Sequence, residues 1–332
     1  MRTLPICRPC FLFVAATLVA CTGAPAEDTR DRRDDDSAAD DGGNDTSDSG
    51  VVEETALWRN FRVETSSTLQ GVYASGQGVY VTGTEGRAFV GGASTPWIAM
   101  DPPVDGVNLT DLWGTGAAET ILMYATAEQG LVAKFTQTGW VVEDLGTANH
   151  VGAGGSGPDS MYVVGFGGVY RFDGTTWSYE AVPGNVRLND VFAVGLEAYA
   201  VGEGGVILRR DSATAAWTQM ESGTDADLNS VTGYSLDNAW AVGADGTALR
   251  FDGSRWQSTS TGVTVPLWSV FAPNATDVFA VGNNGVALRY RGDAWESMAT
   301  GVSNNLYAVH GVSAANMWAV GNRGTALQFK EQ

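Results

Sequence analysis

Leu228-Asn-Ser-Val231, then Asp237-Asn-Ala-Trp240-Ala-Val-Gly243, then Ala244-Asp-Gly246-Thr-Ala-Leu-Arg250-Phe251-Asp252-Gly253-Ser-Arg-Trp256, is the stretch whose reading decides the fold. It contains four short runs of strand length, rich in Val, Leu and aromatic residues. Turn signals separate the runs: Asp245-Gly246 between the second and third, Asp252-Gly253 between the third and fourth. Asp-Gly pairs suit tight hairpins, because glycine tolerates positive φ and such turns match the right-handed twist of paired strands. One such stretch is therefore a four-stranded antiparallel meander.

The stretch repeats. Leu188 to Trp217 and Leu267 to Trp295 carry the same text, and tryptophans recur at 58, 97, 140, 177, 217, 256 and 295, in steps of 39, 43, 37, 40, 39 and 39. In phase with them run Val81-Thr82-Gly83, Val164-Gly165, Val201-Gly202, Val242-Gly243, Val281-Gly282 and Val320-Gly321, with Met123-Tyr124-Ala125 in the divergent unit. Four-stranded units of about 40 residues have the dimensions of propeller blades. A single blade cannot bury both faces and depends on its neighbours to do so. The fold class expected is all-β: a seven-bladed β-propeller of four-stranded antiparallel blades. Its last unit, from Leu306 through Trp318-Ala-Val-Gly321 to Leu327-Gln-Phe329, lacks a fourth strand. The first tryptophan, Trp58, has no three strands before it. Residues 55 to 66 are therefore expected to supply the missing outer strand, so that the ring is closed by the N-terminal strand and no sheet edge is left bare.

The repeat text Trp-Ala-Val-Gly-x-x-Gly-x-x-Leu-Arg-Phe-Asp-Gly-x-x-Trp resembles propellers of the neuraminidase-type and photosystem II assembly-factor-like repeats. The resemblance covers about residues 55 to 332 and implies the fold more than any activity, since these propellers host unrelated functions. Phe172-Asp173-Gly174-Thr175-Thr176-Trp177 sets Asp directly beside Gly, one residue shorter than the Asp box of sialidases, and no Trp-Asp dipeptide occurs.

Ahead of the repeats, Arg2 and Arg8 precede a nine-residue apolar run, Phe11 to Val19, too short to span a bilayer. Leu18-Val19-Ala20-Cys21 follows, and it resembles the lipobox of bacterial lipoproteins. That resemblance implies a signal peptide over residues 1–20, cleavage before Cys21 and lipid attachment on Cys21, with several acyl chains giving a stable membrane anchor where one is marginal. Thr22 in place of Asp resembles an outer-membrane destination in the cell envelope. Residues 27 to 54 hold 12 acidic and 3 basic residues, so 21–54 reads as a lipidated cysteine on a disordered acidic tether. Fully extended it would reach about 110 Å. The mature chain would keep one cysteine, Cys21, and fold by packing alone, as a domain of that size can.

The formal net charge of −19 excludes the clustered cations a nucleic-acid binder needs. Gly152-Ala153-Gly154-Gly155-Ser156-Gly157 matches the dinucleotide fingerprint in letters, but a strand-like Met161-Tyr162-Val163-Val164 follows where that motif needs a helix. No cofactor is expected. The two histidines, His150 and His310, fall at innermost-strand positions and could line the channel as a metal pair. Without a matching carboxylate pattern they read as core or channel residues. Arg171, Arg250 and Arg289 recur at one repeat position and read as surface or inter-blade partners. Glu85, Glu203 and Asp245 read as turn residues, since Asn284 and Arg323 fill the same slot.

Loops on a rigid scaffold carry recognition. The expected contact surface is the loops that join one blade's outer strand to the next blade's inner strand, residues 98 to 108 and 178 to 187 among them. Asp101, Asp105, Glu180 and Asp225 are its candidate residues. The function expected is a membrane-anchored, non-enzymatic binding module that meets an envelope protein or glycan. The alternatives are an assembly or quality-control factor for an envelope complex, and an extracellular, sialidase-like glycosidase.

Overall fold

The structure is a computed structural model that describes residues 58–100, 104–116, 121–136, 139–146 and 149–331. Residues 1–57, on which the expected signal peptide, the lipid-bearing Cys21 and the acidic tether fall, lie outside the described residues.

The described residues form seven four-stranded antiparallel sheets. Their inner strands are Leu69–Ala74, Leu109–Thr115, His150–Gly157, Leu188–Val194, Leu228–Ser235, Leu267–Phe271 and Leu306–Ser313, here blades 1 to 7. Blades 1 to 6 are simple meanders. In blade 7 the outer strand is Trp58–Asn60, antiparallel to Ala326–Lys330, with Trp58 opposite Phe329 and Asn60 opposite Leu327. The pairing continues past the strand, as the Phe61 amide donates to the Ala326 carbonyl at 2.7 Å and the Val63 amide to Gly324 at 2.8 Å. The N-terminal strand closes the ring, as the repeat count requires.

What packs one blade on the next is aromatic. Every second strand carries an aromatic residue three positions before its closing Gly or Ala, and at five of the seven junctions the outer-strand tryptophan of the following blade meets it edge-on, Trp177 on Tyr124 among them. Trp217 stands on Tyr162, Trp256 on Tyr199, Trp295 on Trp240 and, across the closure, Trp97 on Trp318, all at 83–89°. Edge-to-face contact sets the positive ring edge against the negative face and adds to the area term. Trp256 is 6% exposed. Its replacement by Ala should cost about 3–5 kcal/mol, read from denaturant midpoints; an unchanged midpoint would take this indole out of the core.

The Val-Gly signature has a steric cause. A Cβ on Gly243 would lie 2.0 Å from the Asp227 carbonyl oxygen, because the inner strand enters directly against the end of the second strand. The following turn holds two left-handed residues, Asp245 at φ 54° and Gly246 at φ 69°, closed by the Thr247 amide on the Ala244 carbonyl. Glu85, Gln129, Gly204, Asn284 and Arg323 hold the same conformation. The residue equivalent to Asp245 in blade 4 is thus Gly204, one place beyond the expected Glu203.

The glycine-rich stretch is explained by close approach too. Gly152 to Gly157 lies in the inner strand of blade 3, and a Cβ on Gly154 would stand 1.9 Å from the Val191 carbonyl oxygen of blade 4. These glycines let two backbones touch.

Candidate functional site

All seven inner strands open with the same four-residue pattern: a residue buried against the wall, two residues toward the axis, then a buried or nearly buried apolar residue. Each inner strand carries a β-bulge at this point. Leu228 pairs with Gly243 and Ser230 with Val242, so Asn229 is the extra residue; the same shift recurs between Leu69 and Gly71, Leu109 and Asp111, His150 and Gly152, Leu188 and Asp190, Leu267 and Ser269, and Leu306 and Ala308. A bulge re-aims a side chain and frees a ladder amide. Here it turns one residue per blade into the axial funnel: Gln70, Thr110, Val151, Asn189, Asn229, Trp268 and Tyr307 line a cavity of about 440 Å³.

The freed amides need acceptors, and the next residue along supplies them. Ser230 Oγ accepts from the Val270 amide of the following blade, and Ser269 Oγ from Val309, both at 3.2 Å. Blades 1 and 3 hold glycine there, Gly71 and Gly152, and the blade after each holds an aspartate that serves two amides. Asp111 accepts from Leu112 at 2.7 Å and from Ala153 at 2.9 Å; Asp190 accepts from Val191 at 2.7 Å and from Val231 at 2.9 Å. The bulge residues tie blades in the same direction. Thr110 donates to the His150 carbonyl, Asn189 to Leu228 and Asn229 to Leu267.

The two aspartates are the strongest electrostatic feature of the funnel. Desolvation in the neck raises the Asp111 carboxyl to about 6. It raises Asp190 to about 8, with the Asp111 charge adding to it. The amide bonds act the other way without winning, because four amides do not replace the water two carboxylates lose.

Below the neck the funnel is filled. The fifth residue of the inner strand is large where the sixth of the next blade is small. Tyr73 lies on Gly114 and Phe192 on Gly233, where a Cβ would be under 3 Å from either ring. His310 sits in this layer, between Tyr73 and Phe271, and its Nδ1 accepts from the Ala74 amide at 3.1 Å. Burial lowers its pKa to about 4. His150 occupies a Leu position in the blade wall, 2% exposed, against Tyr170. The histidines are on blades 3 and 7 with separate partners, so the structure does not join them as a metal pair.

The loops expected to form the contact surface border the funnel mouth, because an outer-to-inner connection and the start of an inner strand share one face of an antiparallel blade. They are shorter than expected, since Ile98–Met100 and Trp177–Glu180 are outer strands. Asp105 and Asp225 are exposed in these loops, and Asp101 lies outside the described residues.

Glu180 has another occupation. Arg210 of blade 4, its side chain 4% exposed, grips the Glu180 carboxylate through Nε at 2.8 Å and Nη2 at 2.7 Å, and Trp217 Nε1 donates to it at 2.9 Å. Arg289 bridges blades 6 and 7 in the same style, binding Asp277 and Glu331 at 2.6 and 3.0 Å. Arg250 stacks over Trp240 within its own blade. Removing one partner of a buried pair leaves an uncompensated charge. Arg210→Met should therefore cost about 3–5 kcal/mol at neutral pH, and adding Glu180→Gln should recover part of it. Additive losses in that cycle would show the two side chains uncoupled.

The fold and its funnel define the class, a seven-bladed β-propeller with a polar axial mouth. No protein-family model and no curated protein sequence matches the chain. Among solved structures it is similar to YCF48 bound to D1 peptide, at 15% identity and TM-score 0.66, over 83% of this chain and 97% of that one. It is similar to YCF48 from Cyanidioschyzon merolae at 14% identity and TM-score 0.66, over 83% and 99%. A catalytically inactive virginiamycin B lyase from Staphylococcus aureus with quinupristin matches at 11% identity and TM-score 0.73, over 83% and 99%. At these identities the likeness is one of fold.

The funnel residues are the part sequence reasoning passed over. Their signal is the variable pair inside the recurring Leu-x-x-Val, polar at both places in blades 2, 4 and 5, and visible only when the seven copies are set side by side.

Proposed function

We propose that this protein is a membrane-tethered binding module that holds a short segment of a partner macromolecule in its axial funnel. One observation carries the reading: bulges in all seven inner strands re-aim side chains of unlike chemistry into one cavity. Packing alone would favour uniform small apolar residues there. The carboxamides, the Trp268–Tyr307 wall and the two carboxylates instead give recognition groups on a rigid frame. Among similar folds, YCF48 has been solved with a D1 peptide, which supports a protein segment as the ligand and keeps an assembly or quality-control role for an envelope complex as the specific form of this reading.

The direct test is site-specific photo-crosslinking from Asn229 and from an opposite-face residue, Tyr234, in the native envelope. A partner captured from Asn229 and lost in Trp268→Ala supports the reading; equal capture from both positions overturns it.

The anchor belongs to the same proposal. Cys21→Ser should abolish metabolic labelling with palmitate and move the protein from the membrane fraction to the soluble fraction. Labelling that persists would remove Cys21 as the acylated residue.

An enzymatic reading has one observation in its favour. Two coupled carboxyls whose proton affinities are pushed apart are the pattern of an acid and base pair. Each of the four oxygens already accepts a backbone amide, which makes their first role structural. A glycan-hydrolysis screen with Asp190→Asn as control decides between the two.

A further inference from the structure

We propose that the funnel neck recognises one basic side chain, a lysine ammonium or arginine guanidinium, projecting from the partner segment. The inference rests on the binding-module reading and specifies its ligand.

Three observations converge. First, the neck offers side-chain oxygens that accept nothing within the protein. The side-chain nitrogens of Asn189 and Asn229 and the Thr110 hydroxyl each donate one hydrogen bond to a carbonyl of the next blade, and the Trp268 indole donates to Asn283 at 2.7 Å. The amide oxygens of Asn189 and Asn229 remain open, and Gln70 Oε1 is buried with no partner. Second, Asp111 and Asp190 have no cation in the neck. Among the described residues the one basic side chain lining the cavity, Arg187, is exposed at the rim and faces Glu203 at 3.7 Å. Third, Trp268 and Tyr307 lie side by side on blades 6 and 7, ring centroids 5.7 Å apart, and offer π-faces to a cation.

Charge balance gives the proposal its signature. The empty neck holds its pair of carboxyls partly protonated, because both carboxyls titrate above the ordinary range. An entering cation favours the ionised form, so a proton leaves the neck for the buffer as the cation enters. Affinity should then rise with pH up to the point where Asp190 ionises unaided. Of the other groups on elements packed against these two strands, Glu128 and Arg187 line the same cavity. Glu85, Glu203 and Asp227 stand in the rim turns, and His150, Tyr73, Tyr124, Tyr162 and Tyr199 are buried in the walls. The tyrosines keep their protons throughout, since burial raises all four.

The experiment is titration calorimetry of the full chain with acetylated, amidated pentapeptides, Gly-Gly-X-Gly-Gly, where X is Lys, Arg, norleucine, Gln or Glu, in two buffers of different ionisation enthalpy. The expected result is saturable binding of the Lys or Arg peptide, at least tenfold tighter than norleucine. Proton release should accompany it at pH 7, with affinity rising severalfold from pH 6.5 to 8. Asp190→Asn should remove the pH dependence and lower affinity at least tenfold. If that variant does not fold, Trp268→Leu, a half-buried change in the funnel lining outside the tryptophan layer between blades, should lower affinity without changing proton release. Norleucine or Gln binding as tightly as Lys overturns the cationic ligand and leaves funnel binding standing, as does tighter binding of Glu. Butylamine alone binding as tightly as the Lys peptide overturns the side-chain source in favour of a free amine. Failure of every peptide, with Asn229 crosslinking still positive, overturns the basic side chain alone; failure of both overturns the funnel as a binding site.

Discussion

A chain shortened to begin at Thr65 should lose cooperative unfolding, whereas one beginning at Thr55 should melt as the full protein does. The shorter chain lacks Trp58, 6% exposed, and Val63, fully buried, and Phe61, which packs on Trp318. Two aromatic side chains alone bury roughly 300–500 Å², worth about 8–12 kcal/mol before ordering entropy is subtracted. That is comparable to the whole stability of an ordinary domain, about 5–15 kcal/mol. The loss is structural as well, because Ala326–Lys330 becomes an edge strand with a row of unpaired backbone groups. The shortened chain should expose Phe329 and Leu327, bind a hydrophobic dye and associate through the new edge. Sharp, monomeric unfolding within about 1 kcal/mol of the full chain would show that blade 7 is complete without Trp58.

The reason this closure was legible is that its signal is long-range and redundant. Seven indoles at near-equal steps and a final repeat one strand short leave few arrangements that spare a sheet edge. The aromatic layer between blades was legible in kind, since the Trp-Ala-Val-Gly text repeats, although the edge-on stacking of five outer indoles on the second strand of the preceding blade comes from the geometry. Glu180 was less legible. In sequence it ends an outer strand beside a loop and looks solvated. Its partner Arg210 is 30 residues away, in a double arginine where Arg209 turns instead to Glu197 at 2.9 Å. Nothing local tells the two arginines apart; strand alternation does, by sending Arg210 to the buried face.

The funnel was least legible because a bulge has no strong letter code. Asn229-Ser230 marks only the start of a repeat unit in the letters, and no local signal singles out Asp111 or Asp190. The informative comparison is down the column Gly71, Asp111, Gly152, Asp190, Ser230, Ser269, Ala308. A glycine leaves the next blade's freed amide without an acceptor, and the aspartate in that blade makes up the difference with its second oxygen. In blades 2 and 4 the acid thus answers the glycine before it, whereas Ala308 of blade 7 is followed by Gly71 and no acid. A Cβ on Gly152 would lie 2.4 Å from the Asn189 carbonyl oxygen, which excludes a larger residue there. Acceptors placed for backbone reasons thereby bring two carboxyls into the same neck.

Stability should fall from pH 6.5 to 8 and change less steeply with pH below 6.5, where buried histidines oppose the aspartates. Asp190 binds a proton in the folded protein up to about pH 8, and Asp111 up to about 6, where the unfolded chain has already released both near 4. Wherever the folded state holds the extra proton, stability declines as pH rises, by about 1.4 kcal/mol per unit per group. The buried histidines oppose this. His310 is neutral above about 4 in the folded state and His150 is likewise lowered, whereas the unfolded imidazoles stay protonated up to about 6.5. Between those limits the unfolded chain binds the extra protons and stability rises with pH, so the histidines work against the aspartates there. Above 6.5 the histidines are neutral in both states and Asp190 acts alone, giving a loss of about 2 kcal/mol by pH 8. The turn carboxylates Asp173, Asp211 and Asp252 are held below the usual range by backbone amides and lose that stabilisation only in acid, under about pH 4. Urea midpoints at pH 5, 6.5 and 8 measure the profile. Asp190→Asn should lower stability at pH 6.5 by about 1–3 kcal/mol, because one of its two amides loses its acceptor, and should level the branch above pH 6.5. His310→Phe should leave that branch intact and tilt the region below it downward with pH. A wild-type midpoint that rises from pH 6.5 to 8, or an Asp190→Asn profile as steep as the parent's, would mean that this carboxyl is ionised in the resting neck and that its two amide donors, together with water, outweigh its burial.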